Sequence, residues 1–293
     1  MITLGASSAS VPFGRFKNRV EVFDIIPGTR QLTIPEGWNK IRVAVVGGGG
    51  GGRNVTSKDL HGYGGGGGGG GYAEIELDVV PGQTFTYTVG AGGDLNQDGS
   101  TTSVGALLSA TGGKTATDNT SVASKGGAGG AGIGGTINHA GGAGGNAFDA
   151  ASGGGGGGGA SGHRYGVGGA GGNGLDNANA PNAGGVGGSW VDGLRPLLYD
   201  DGWGLGITPH DLPLDADLTL QAIGGSNYLS VYSRVGQGTS NAAHQANIGG
   251  GSCSNRGGTA SVQRGGIGAG GGGGYNTYTG RGGPGAVIVE VLA

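Results

Sequence analysis

The sequence has a single cysteine, Cys253, so no disulfide can form within the chain. Charged residues make up only 12% of it, with 16 Lys plus Arg against 19 Asp plus Glu, and no basic footprint suited to a nucleic acid emerges. No apolar run approaches the roughly 18 residues that a membrane-spanning helix needs. The start, MITLGASSAS, lacks the basic-then-apolar order of a secretory leader. These absences predict a soluble protein with no nucleic-acid partner and no membrane insertion, one that, if it ends up outside a cell, gets there by lysis or within a particle. Proline is scarce as well, at 9 of 293 residues. A collagen-like triple helix is therefore excluded, because it needs abundant proline and an unbroken glycine at every third position.

Glycine is what the chain has in excess, at 81 residues. A flexible linker would pair glycine with serine and little else. Here the glycine tracts are bracketed by strand-like alternation on both sides, which favours order. KIRVAVV from Lys40 places Ile41, Val43 and Val45 on one face and runs into Gly47–Gly52. Gly64–Gly71 feeds YAEIELDVV, where Ala73, Ile75, Leu77 and Val79 form a dry face and Tyr72, Glu74, Glu76 and Asp78 a wet one. A hairpin is expected next, turning at Pro81-Gly82 into TFTYTVG, with Phe85, Tyr87 and Val89 opposite three threonines. Upstream, Arg19 to Ile34 reads as two strands around Pro27-Gly28. Downstream, GGPGAVIVEVLA supplies a final strand, with Val287, Val289 and Val291 on one face, expected to pair with the early strands.

Between Thr111 and Gly188 the period becomes three, as in GGAGGAGIGG, which aligns Gly126, Gly129, Gly132 and Gly135. Extended left-handed helices of the polyproline II kind have three residues per turn and rise about 3.1 Å per residue, so Gly64–Gly71 would span about 25 Å. Each glycine costs roughly 0.5–1 kcal/mol of backbone entropy relative to alanine. With few side chains to bury, backbone hydrogen bonds and Cα–H contacts between helices must offset that cost. Runs of pure glycine can be enclosed on all sides, whereas GGxGGx runs keep one face for x. The expected fold is mainly β plus a polyglycine II bundle: a short antiparallel sheet flanking packed glycine helices, with almost no α-helix. The chain divides into an N-terminal module (1–38), a β-rich glycine-rich domain (39–110), a polyglycine II region (111–188), an aromatic insertion (189–235), and a second polyglycine II region with the closing strand (236–293).

No catalytic constellation is present. Matches to G-x-G-x-x-G arise by chance in such a composition, and none follows a strand and opens a helix. Gly113-Lys114-Thr115 would need a glycine at Leu108 to end a phosphate loop. No serine sits in a G-x-S-x-G elbow, and His61, His139, His163, His210 and His244 are scattered without metal-ligand spacing. Asp94, Asn96, Asp98 and Gly99 match the start of a calcium loop, but its twelfth position is Gly105 rather than a glutamate, so a solvated turn is the reading adopted. Asp211, Asp215 and Asp217 are no better as ligands. No cofactor, metal or enzymatic activity is expected.

Aromatic residues with neighbouring histidines and an arginine, above all Tyr63, Tyr165, Tyr275 and Tyr278 in short intervals beside glycine runs, are the candidate contact residues, because large amphipathic side chains at exposed connections suit recognition. They are His61, Tyr63, His163, Arg164, Tyr165, Trp190, Trp203, Tyr228, Tyr232, Tyr275 and Tyr278. Filling of loops and small cores is the competing account, and Trp203 fits it well.

The order TIPEGWNKIRVAVVGGGGGG, GGGGGGGGYAEIELDVVPGQTFTYTVGAGG and GGPGAVIVEVL resembles the glycine-rich domain of phage tail fibre and tail tip proteins over residues 31–110 and the closing strand. The GGxGGx region is similar to T-even phage fibre-tip adhesins, in which a polyglycine II sandwich carries variable loops that bind outer-membrane proteins or surface glycans. Ser189 to Val235 has no counterpart in that pattern. The resemblance implies a virion protein of the phage tail, its N-terminal part attached to other tail proteins and its loops touching a bacterial outer-membrane protein or glycan. Two other readings stand beside it: a purely structural tail component, and an ice-binding protein, against which the irregular tyrosine-bearing loops argue. Receptor, oligomeric state (a homo-oligomer included) and the end facing the host stay open.

Overall fold

A computed structural model describes residues 2–3, 18–55, 64–117, 124–148, 154–174, 264–275 and 279–292. Thirteen strands occur there and no helix. They are β1 (Ile2–Thr3), β2 (Asn18–Asp24), β3 (Gly28–Thr33), β4 (Lys40–Val46), β5 (Asn54–Val55), β6 (Tyr72–Asp78), β7 (Thr84–Val89), β8 (Thr102–Val104), β9 (Leu108–Ala110), β10 (Gly132–Ile133), β11 (Ile137–His139), β12 (Gly274–Tyr275) and β13 (Ala286–Leu292). One six-stranded sheet runs in the order β1-β2-β13-β4-β6-β11, and a five-stranded sheet in the order β10-β9-β8-β7-β3. Both are antiparallel throughout.

The two sheets face each other over one core. Val22, Ile41, Val43, Val45, Ala73, Val287 and Val289 come from the larger sheet, and Tyr87, Val89, Val104, Leu108 and Ala110 from the smaller. The alternation of KIRVAVV, AEIEL and AVIVEV is what aims these residues inward, and each large one contributes about 1.5–3 kcal/mol by leaving water. The closing strand β13 pairs with β4 on one side and β2 on the other, so the last strand-forming segment completes the sheet's interior.

Two expectations need correction. The segment 72–89 is not a hairpin: β6 pairs with β4 and β11, whereas β7 pairs with β3 and β8 in the other sheet. The Pro81-Gly82 turn is real, closed by Gln83 N–H donating to Val80 O at 3.1 Å, with Gly82 at φ +82°, as a type II turn requires. It carries the chain across the edge of the sandwich, because Ile34 and Val79 beside it are both buried in the shared core. The wet face of β6 is also only half wet. Tyr72 and Glu74 are buried, because the outer side of the six-stranded sheet carries a second apolar cluster with Val20, Phe23, Val46, Ile267 and Ile288.

The glycine tracts are ordered by backbone hydrogen bonds at intervals of three. Gly66 and Gly69 donate to Gly145 and Gly142, Gly67 and Gly70 to Gly271 and Gly268, and Gly68 and Gly71 to Lys114 and Thr111. The carbonyls of the same run accept from three further segments. Gly127 and Gly130 bond to Gly66 and Gly69, Gly159 and Gly162 to Gly67 and Gly70, and Gly50 and Gly47 to Gly68 and Gly71. Thus 64–71 touches a different neighbour on each of six sides, and every residue in it is buried. In 125–131 the pattern opens outward: Gly127 and Gly130 are buried while Lys125, Ala128 and Ala131 are exposed.

Candidate functional site

Of the candidate contact residues, His163, Arg164 and Tyr165 form one site. The glycine run 154–162 ends there, and a tight turn reverses the chain, with His163 N–H donating to Gly166 O (3.0 Å) and Gly166 N–H to His163 O (3.2 Å). His163 is the buried base of the turn, and its Nδ1 accepts from the Tyr165 N–H at 3.3 Å. Burial, reinforced by the nearby His139, lowers its pKa from 6.5 to about 4, so the ring is neutral at physiological pH.

Arg164 turns back onto the outer face of the six-stranded sheet, where its Nη2 lies 3.2 Å from Glu74 Oε1. Glu74 is already engaged: the Tyr72 hydroxyl donates to it, and Arg42 Nε approaches within 3.3 Å. Arg42 in turn pairs with Glu290 (2.5 Å) and Glu76 (3.0 Å), and Lys40 reaches Glu76 at 2.9 Å. The strand register explains the cluster, since Glu290, Arg42 and Glu76 lie directly opposite one another across β13, β4 and β6. The Lys40 and Arg42 hydrogen bonds hold the Glu76 carboxyl below its ordinary pKa. Three cations, Lys40, Arg42 and Arg164, thus balance three carboxylates, Glu74, Glu76 and Glu290, at the foot of the turn.

Tyr165 stands outward from this base, 52% exposed, with the Arg164 guanidinium 6.0 Å from its ring centroid. Val167 follows, also 52% exposed. The arrangement is suited to binding: a charge-anchored turn presenting an aromatic ring and an apolar side chain to solvent. The sequence singled out the turn but not its anchor. Glu74 reads as one more solvent-facing strand residue, and only the register that sets Arg42 against Glu76 and Glu290 would have signalled an ionic cluster there.

The other candidates are not brought to this site by any described contact. Tyr275 lies in β12, paired in parallel with Val55 of β5, and only its backbone is described. His61, Tyr63, Trp190, Trp203, Tyr228, Tyr232 and Tyr278 lie outside the described residues. The oxygens of the calcium-like loop are committed to different protein donors. Asp94 pairs with Arg281 (2.6 Å), Asn96 Oδ1 accepts from Asn54 N–H (2.6 Å), and Asp98 takes Lys114 Nζ (2.9 Å) and Thr115 N–H (2.8 Å). Among the described residues no group of three or more His, Cys, Asp or Glu is placed to hold a metal ion.

Compared with known families, residues 25–292 match the model of a glycine-rich domain. No curated protein matches the chain.

Proposed function

Since the chain belongs to the glycine-rich domain family, we propose that it is a non-enzymatic adhesin of a phage tail, in which packed polyglycine II helices hold receptor-contacting loops. The observation that carries this reading is the Arg164–Tyr165 turn, exposed at its tip and tied at its base to the buried Glu74 carboxylate. Period-three hydrogen bonding and the enclosure of 64–71 on six sides support the helical packing. Such a lattice is stiff and has few side chains of its own, so recognition falls to what interrupts it. The receptor is a bacterial outer-membrane protein or surface glycan, and other tail proteins are the attachment partners.

Adsorption tests the proposal. Purified protein should bind susceptible cells, and Tyr165→Ala should weaken that binding by roughly tenfold or more, the cost of losing an aromatic anchor. Its melting temperature should not change, since the ring is exposed. Undiminished adsorption by both Tyr165→Ala and Arg164→Ala would remove the turn from the contact surface.

Ice binding is the second reading, and one observation favours it. Three adjacent runs expose every third side chain in register: Lys125, Ala128 and Ala131; Ala140, Ala143 and Asn146; Val167, Ala170 and Asn173. The lysine, the asparagines and the bulky Tyr165 beside them break the flat, uniform face that ice would select. A thermal hysteresis measurement separates the two, with none expected for the adhesin.

A further inference from the structure

The four outer edges of the two main sheets are unequal. β1 and β10 are two residues long and β11 is three, but β3 offers six. A long free edge is a template for another strand, and proteins ordinarily blunt such edges with lysine, proline or a bulge. Residues 28–33 contain neither lysine nor proline, and their register with β7 runs without interruption from Gly28↔Val89 to Thr33↔Thr84. The one cation, Arg30, is drawn away from the edge, pairing with Asp24 (3.1 Å) and donating to Ile26 O (2.7 Å).

Parity identifies the groups left over. In the continuing register Ile34 stands opposite Gln83, whose carbonyl accepts the Ile34 N–H at 2.8 Å. Hydrogen-bonded pairs alternate with non-bonded ones along an antiparallel ladder, so even-numbered residues direct their backbone groups toward β7. Those of Thr29, Gln31 and Thr33 therefore point outward, and all three residues are exposed. Their side chains carry no charge and continue a hydroxyl-bearing surface onto β7, with Thr29 Oγ1 2.9 Å from Thr88 Oγ1 and Thr33 Oγ1 3.5 Å from Thr84 Oγ1.

We propose that β3 is a self-association edge, pairing antiparallel with β3 of a second copy about a two-fold axis at Gln31. The occupant is argued from the symmetry of the motif. A two-fold interface must be self-complementary, and Thr-x-Gln-x-Thr reads the same from either end. Gln31 then opposes Gln31 of the second copy, and each Thr29 opposes a Thr33, a favourable cross-strand pairing. On the core side Arg30 meets Leu32 rather than another arginine, so no like charges are brought together. Each of the three pairs forms two backbone hydrogen bonds, and two five-stranded sheets join into one. The assignment is independent of what the Arg164–Tyr165 turn binds.

The test is the mass of the full-length protein in solution, by light scattering or sedimentation from micromolar to near-millimolar concentration. A concentration-dependent dimer is expected. Gln31→Pro removes only an outward N–H and should weaken the dimer by roughly tenfold or more. Gln31→Lys keeps the backbone intact but sets like charges at the axis, and it should do the same. In a Cys253→Ser background, Gln31→Cys should oxidise to a disulfide dimer, because opposed Cα atoms of a hydrogen-bonded pair lie about 5.5 Å apart. A monomer at every concentration overturns the proposal, and so does a dimer that persists in the folded Gln31→Lys variant.

Discussion

A methyl group added to Gly68 would overlap the Ala128 carbonyl, and one added to Gly66 or Gly69 would overlap that of Gly157 or Ala160. Glycine is required there because another backbone occupies the place of the side chain. Gly68→Ala must push two hydrogen-bonded segments apart, and a loss of about 4 kcal/mol or more is expected, at the exceptional end for a single substitution. Ala128→Ser, on the exposed side of the same contact, should stay within about 0.5 kcal/mol. Denaturant titration of the pair checks both. His163 provides a residue-scale test of another kind. Folding lowers its pKa from 6.5 to about 4, so the stability tied to its neutral ring is complete above about pH 6.5 and is lost as pH falls toward 4. That loss is on the order of 3 kcal/mol. Thermal melts at neutral pH and near pH 4 should show a shallower decline in His163→Gln than in the unmodified protein, and parallel declines would contradict the assignment.

At the level of elements, strands and glycine tracts share one bonding principle, an amide exchanged with a neighbouring segment, but with periods of two and three. The tract 64–71 lies outside any strand, yet its amides from Gly66 to Gly71 are bonded and buried. Hydrogen exchange should therefore place them with β4 and β13 among the slowest amides, whereas fast exchange would mark the tract as an ordinary loop. The strands with long alternation, β4, β6, β7 and β13, were legible in the sequence because side-chain period alone defines them. The three-residue β8 and β9 and the two-residue β10 were not, since so few residues establish no period. The partnership of β6 was misread for a related reason. A proline-glycine turn fixes local geometry, whereas the burial of Ile34 and Val79 on either side decides which sheet receives the next strand. Arg164 and Tyr165 could be picked out as interruptions of glycine, but the Glu74 anchor depends on a cross-strand register linking residues 42, 76 and 290.

Across the whole molecule the bonds that matter are distant in sequence. Arg42 meets Glu290, the centre of the larger sheet joins β4 to β13, and the glycine tracts beginning at 47, 64, 111 and 124 interleave with one near 270. Long-range pairings of this kind slow folding, because loop closure precedes the contacts that reward it. The place of β13, between β2 and β4, extends that argument to synthesis. At about 5–20 residues per second a ribosome takes roughly 10–50 s to proceed from β4 to β13. During that interval the inner edge of β4 has no partner, and the gap between it and β2 stays open. The N-terminal half cannot mature as an independent unit on the emerging chain, and assembly of the sheet waits for translation of its final strand.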